Sequence, residues 1–154
     1  MREKYPQTQW PLQLISYKSA LQNSYSIAAR RLRGIHPSNP VTLHPDDAAG
    51  LNLHSGDEVY IETPGGKVRA TVMVRHGVQR GVAAIEHGFG HREFGARAHR
   101  IGGKVQPHEP AIAAGINLND LGLSDPSRNG RNVFVDPVSG TTVRQGLPAR
   151  LVRV

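Results

Sequence analysis

The sequence predicts a single all-β domain with a few short helices and long loops. Three observations carry this. Gly 17 and Pro 11 among 154 residues interrupt most helical runs, because each costs helical hydrogen bonding or chain entropy. Two neighbouring segments, Glu58 to Thr63 and Lys67 to Val74, alternate polar with apolar residues, the period of a half-buried strand. Residues 17 to 40 and 92 to 131 are polar without clear periodicity, and loops of that length in a compact domain are usually functional or covered by a partner.

Taken in order, Trp10 to Ser16 reads as a first strand, with apolar residues at 10, 12 and 14. Residues 1 to 9 are a polar lead-in, and 10 to 154 the domain proper. Pro40 to His44 predicts a short strand. Pro45-Asp46-Asp47-Ala48-Ala49 predicts a brief helix, with proline early and acids at the positive end of its dipole. Gly50 and Asn52 supply helix-stop chemistry. Ser55-Gly56-Asp57 and Pro64-Gly65-Gly66 are turns bounding a β-hairpin. Val59, Ile61, Val68, Ala70, Val72, Val74, Val82 and Ile85 are core. Val82 to Ile85 is a further strand ending at Glu86-His87-Gly88-Phe89-Gly90-His91. Gly115-Ile116-Asn117-Leu118-Asn119-Asp120-Leu121 predicts a tight turn into a helical turn. Asn132 to Val135 and Arg150 to Val154 are expected as the last strands.

The net charge is +7, which points to anionic partners. Nucleic acid, a phosphate-bearing cofactor and an acidic protein surface all qualify. The basic residues are scattered apart from Arg30, Arg31 and Arg33, and aromatic residues make up only 5%. A nucleic-acid barrel normally shows a basic stripe and a stacking platform, so that reading is the alternative. Cys 0 excludes disulfides, thiolate metal sites, iron–sulfur ligation and a cysteine nucleophile within this chain. No apolar stretch of about eighteen residues occurs, and the first residues lack a signal peptide's apolar centre. The expectation is a soluble chain, with its compartment open.

Several blocks, in this order, resemble the C-terminal domain of the dimethyl sulfoxide reductase family of molybdenum and tungsten enzymes. They are Leu12 to Ser26, Asn39 to Ala48, Leu51 to Val59, Glu62-Thr63-Pro64-Gly65-Gly66, Gly81-Val82, His87-Gly88-Phe89-Gly90-His91 and Gly115 to Leu121. The wording of residues 85 to 91 is most similar to the tetrathionate, thiosulfate, polysulfide and arsenate reductase branch. The resemblance implies a six-stranded double-psi β-barrel that covers one side of a bis(molybdopterin guanine dinucleotide) cofactor carrying Mo or W. The pocket would be completed by the remaining domains of the catalytic subunit, with an electron-transfer subunit as a further partner. The metal's protein ligand and any iron–sulfur cluster would belong elsewhere. The domain is then not expected to be catalytic in isolation, and no nucleic-acid or membrane partner is expected. The other contrasting reading, a self-sufficient double-psi barrel enzyme, lacks an activated nucleophile to support it.

Binding a pterin dinucleotide requires backbone amides close to phosphate, which glycine permits, and side-chain amides that both donate and accept. The resemblance places Tyr17, Lys18, Ser19, Gln22, Asn23 and Ser24 against the pterin, although the same composition describes an ordinary polar surface loop. It also assigns His87, Gly88 and His91 to hydrogen bonding with pterin or substrate. A metal site formed with Glu86 would need a converging third ligand that the spacing does not supply. Asn117 is the leading pterin contact and Asn119 the second, while either could cap a following helical turn. Arg30, Arg31 and Arg33 read as a solvated basic surface, with contact to phosphate or to neighbouring domains as the alternative.

Overall fold

The computed structural model describes residues 3–23, 25, 26, 29–93, 95–130 and 132–154. Its centre is a closed barrel of six strands. These are β1 (Leu12–Tyr17), β2 (Val41–Leu43), β3 (Glu58–Thr63), β4 (Gly66–Val74), β5 (Val82–Glu86) and β8 (Leu147–Arg153), in the order β1-β5-β2-β4-β3-β8. β1 with β5 and β2 with β4 are parallel; the other neighbours are antiparallel. Exchanging the first three barrel strands with the last three leaves every neighbour relation intact. That internal twofold relation, which carries the parallel pair β1–β5 onto the parallel pair β4–β2, is the double-psi arrangement. Closure also removes the exposed edges that an open sheet of this size would carry.

The alternating segments bury the predicted face. Val59, Ile61, Ala70, Val72 and Ile85 are buried with Leu12, Leu14, Val41, Leu43, Leu147 and Ala149, while Val68 and Val74 are partly buried against them. Each such Val, Leu or Ile side chain is worth about 1.5–3 kcal/mol when taken out of water. Ile116, Leu118, Leu121 and Leu123 come from the long second loop and plug the barrel. The helix α2 (Pro45–Gly50) forms as predicted, with the His44 ring accepting from the Asp46 amide and Asn52 taking a left-handed φ of 53° after it.

The structure departs from the sequence-based expectation in several places. The segment read as pure loop contains α1 (Arg30–Ile35), a six-residue helix with no side-chain cap and Gly34 inside it, which is why it carried no helical signature. Arg33 is not solvated surface: it is 6% exposed and pairs with Glu109 at 2.5 Å. Residues 132 to 135 form no strand but only two isolated bridges, Ser124 with Val133 and Val135 with Thr142. The chain turns back at once, because the Asp136 carboxylate accepts from the Val138 and Ser139 amides at 3.1 and 2.7 Å. The last strand instead begins at Leu147, where Gly146 and Pro148 disguised it. The second long loop also holds a small hairpin, β6 (Arg100–Ile101) and β7 (Lys104–Val105), and 3-10 turns at Pro110–Ala113, Leu118–Leu121 and Pro126–Arg128.

Candidate cofactor site

The strand directions gather the polar segments at one end of the barrel. β1 and β5 are parallel, so Tyr17 and Glu86 finish together. β2 runs against β5, which brings Asn39, just ahead of β2, to the same end. By the same logic the β3–β4 turn and the residues entering β8 arrive there too.

The ladder continues one residue past the strands: the His87 amide donates to the Tyr17 carbonyl at 2.8 Å. The chain then turns sharply through Gly88 and Gly90, at φ 108° and 66°, values open to glycine but strained for other residues. The His91 ring bonds the Gly88 carbonyl at 3.0 Å, closing this turn. Gly90 donates to Ala114 at 2.9 Å, and a Cβ on Gly90 would lie 2.3 Å from the Asn117 amide nitrogen. Only glycine lets the two turns approach so closely.

Between them stands Asn39, which is 1% exposed. Its Nδ2 donates to the carbonyls of Glu86 at 2.7 Å and Ile116 at 3.0 Å, and its Oδ1 accepts from the Ile116 amide at 2.6 Å. A second support comes from the β3–β4 turn. Thr63 accepts from the Gly65 and Gly66 amides and donates to the Leu121 carbonyl at 2.8 Å. A Cβ on Gly65 or Gly66 would lie 1.8 or 1.9 Å from the carbonyl of Gly122 or Asp120. The glycines of that turn therefore seat the Asn117 segment as well as turning the chain.

The predicted residues sort into three groups. His87, Gly88, His91, Asn117 and Asn119 line one cavity of about 140 Å³, together with Phe89 and Leu118. Asn117 is also a cap: its Oδ1 accepts from the Asn119 amide at 3.0 Å, so the capping reading of that residue holds. Tyr17 and Lys18 do not line this cavity but adjoin His87, whose amide bonds the Tyr17 carbonyl. The charge of Lys18 acts on His87, whose imidazole is held below the ordinary 6.5, by burial first, then by Arg144, Lys18 and His91.

Ser19, Gln22 and Asn23 form the third group, whose side chains organise their own loop. Ser19 donates to the Glu86 carboxyl and accepts from the Leu21 and Gln22 amides. Asn23 accepts from the amides of Tyr25 and Ser26. Gln22 is completely buried, accepting from the Ser26 hydroxyl at 3.1 Å, while its Nε2 is buried with no partner among the described residues. Ser24 lies outside the described residues.

Sequence reasoning missed Asn39, His36 and Arg144, and weighed Glu86 only as a metal ligand. Glu86 is 1% exposed and its carboxyl bonds both Ser19 and His36, tying the first loop to the end of β5. Among the described residues no group of three His, Asp or Glu side chains converges on a metal position. A strand's last residue with a carboxyl was visible as a signal; its partners were not.

This donor set suits a fused polar ring with attached phosphates. It offers amides, imidazoles, glycine-exposed backbone, one orphaned buried carboxamide donor and cations at the rim. The cavity is smaller than the roughly 300 Å³ of a complete ligand site, as expected of one wall of a larger pocket. Fold and site together define a double-psi barrel with a candidate ligand-binding wall at one end.

The chain belongs to the molydopterin dinucleotide binding domain family, whose model matches residues 12–132. It is 49% identical over 152 residues to the tetrathionate reductase of Salmonella typhimurium, covering 99% of this chain and 15% of that one. It is 32% identical over 120 residues to the selenate reductase of Mesobacillus selenatarsenatis, covering 70% of this chain and 11% of that one. Among solved structures, acetylene hydratase from Pelobacter acetylenicus matches all of this chain and 20% of its own, with TM-score 0.69 and 22% identity, a likeness of fold. The chain therefore spans a fifth or less of the length of these relatives. β8, which closes the barrel, lies beyond residues 12–132, which the family model matches. Among the described residues, no helix is long and apolar enough to cross a membrane.

Proposed function

We propose that this chain forms one wall of the molybdopterin guanine dinucleotide pocket in the catalytic subunit of a Mo or W oxidoreductase. The complete protein would reduce a sulfur compound or oxyanion such as tetrathionate. The observation that carries the reading is the convergence of His87, His91, Asn117 and Asn119 on one cavity, in a chain of this family. The names of the relatives supply the substrate class.

The bound cofactor would supply the two-electron chemistry. This chain's residues bind and orient it. Asn117, Asn119, His87 and His91 face the pterin, with the Gly88 backbone allowing close approach. Tyr17, Lys18, Ser19, Gln22, Asn23 and Ser24 form the adjoining side, and Gln22 Nε2 gains an acceptor there. The plug of Ile116, Leu118 and Leu121 excludes water from beneath. The pocket needs further domains of a longer subunit, and an electron-transfer subunit would deliver the reducing equivalents.

The test is cofactor retention. In the complete protein, Asn117→Ala combined with His91→Ala should lower bound molybdenum or tungsten and extractable pterin severalfold with the fold retained. Unchanged content would overturn this wall assignment. In the 154-residue chain, guanosine diphosphate should shift amides at 17–24, 86–91 and 115–119. Salt-sensitive retention of DNA or RNA with no such shifts would favour the nucleic-acid reading instead.

A further inference from the structure

Arg144 lies past residue 132, where the family match ends, yet the structure fixes it at the ligand end of the barrel. On one side, the Val143 amide donates to the Phe134 carbonyl at 3.0 Å, and the Val143 side chain packs against the core. On the other, Gln145 grips Ser16 like an extra strand residue. Its Oε1 accepts from the Ser16 amide at 3.1 Å, and its Nε2 donates to the Ser16 carbonyl and hydroxyl at 2.8 and 3.0 Å. Ser16 pairs with Ile85, and the next rung, Tyr17 with Glu86, leads straight into His87. Gln145 thus plants Arg144 beside the joint end of β1 and β5, where Lys18 and His87 also lie.

What gathers there is positive charge without compensation. The Arg144 residue is half-buried, and among the described residues neither Arg144 nor Lys18 has an ion-pair partner. Several other cations are matched: Lys67 and Arg150 by Glu62, Arg92 by Asp120, Arg153 by Asp57. The carboxyl adjoining His87 in sequence, that of Glu86, is taken by Ser19 and His36. The proton affinity of His87 is lowered by burial first, and the charges of Arg144 and then Lys18 act in the same direction.

We propose that Arg144, Lys18 and His87 form an anion-binding cluster at the rim of the cavity. It takes a tetrahedral phosphate or sulfonate group, with Arg144 as principal ligand. A guanidinium presents paired donors to two oxygens of such a group, and charge-assisted bonds of this kind are the strong ones. The group could belong to the cofactor's pyrophosphate or to the sulfonate end of a substrate. The inference rests on the proposed function only for which of these arrives.

The experiment follows the His87 ring resonances of the 154-residue chain against pH, alone and with sulfate, tetrathionate or guanosine diphosphate. Bound anion should raise the His87 midpoint. Arg144→Ala should weaken that binding at least about tenfold, the worth of a charge-assisted pair, while leaving the barrel amides in place. Arg144→Lys should keep part of it. Arg100→Ala, on the exposed β6–β7 hairpin, should leave it unchanged. A response to tetrathionate and sulfate alone assigns the cluster to substrate, and a response to the diphosphate alone assigns it to cofactor; both support the cluster. Binding by Arg144→Ala within about twofold of the unsubstituted chain, equal weakening by Arg100→Ala, or no response to any anion would each overturn it. None of these outcomes touches the Asn117 and His91 retention test, which stands or falls separately.

Discussion

Asn39 and Ile116 bond each other twice, through Oδ1 to the Ile116 amide at 2.6 Å and Nδ2 to its carbonyl at 3.0 Å. One carboxamide thereby does the work of a strand residue. It also bonds the Glu86 carbonyl, so the two turns of the candidate site are spaced by a single buried side chain.

Asn39→Ala should therefore be costly. It leaves the amide and carbonyl of Ile116 without these partners, and each buried group left unpaired costs about 1–3 kcal/mol. A loss of roughly 3 kcal/mol in urea unfolding is expected, with amide shifts centred on residues 86–91 and 115–119. A loss confined to a few tenths would mean that water replaces the carboxamide.

Gly90→Ala and Gly56→Ala separate backbone strain from crowding. Both glycines have positive φ, 66° and 96°, so both alanine variants carry strain of about 1 kcal/mol. A Cβ at Gly56 meets nothing within 4 Å, whereas at Gly90 it lies 2.3 Å from the Asn117 amide nitrogen. Gly90→Ala should cost at least about 2 kcal/mol more than Gly56→Ala and displace the Asn117 segment. Equal costs in parallel unfolding measurements would show that the turns can separate freely.

His87 should make stability depend on pH in a defined direction. Its imidazole binds a proton less readily in the folded chain than at the ordinary 6.5 of the unfolded one, mainly through burial. The unfolded state then binds more protons between the two values, so stability rises with pH through that window. The contribution is complete above about 6.5 and is lost as pH falls through the lower folded value. His87→Gln should flatten unfolding free energy across this window. An unchanged slope would place the titration elsewhere.

Gln22→Met opposes stability to binding. The Nε2 of Gln22 is buried without a partner among the described residues, and its Oε1 holds only the Ser26 hydroxyl. Removing both should change stability by less than about 1 kcal/mol. Cofactor retention in the complete protein should nevertheless fall, because the orphaned donor is lost. Full retention would show that Gln22 serves only its own loop.

The sequence by itself determined the parts whose physics is local. Alternation at Glu58–Thr63 and along β4 marked two strands and their buried faces. Pro45 and the acids after it marked α2, and Gly88, Gly90 and Gly115 marked sharp turns. Those residues were legible because period, φ and capping are properties of a few consecutive positions. The candidate wall was legible to the same degree: His87, His91, Asn117 and Asn119 stood in glycine-flanked turns, and the structure brings all four to one cavity.

Only the tertiary structure decided what depends on distant partners. Asn39 pairs with a residue 77 positions away and Gln145 with one 129 positions away. No local pattern announces such a pairing. Arg33 was indistinguishable from the exposed Arg30 and Arg31 until Glu109 was found beside it. Arg144 was one basic residue among 19. Strand direction and barrel closure carried it to the mouth of the site, and the reason is geometric: parallel pairing of β1 with β5 sends both chain ends, and the segment clamped to them, to one face.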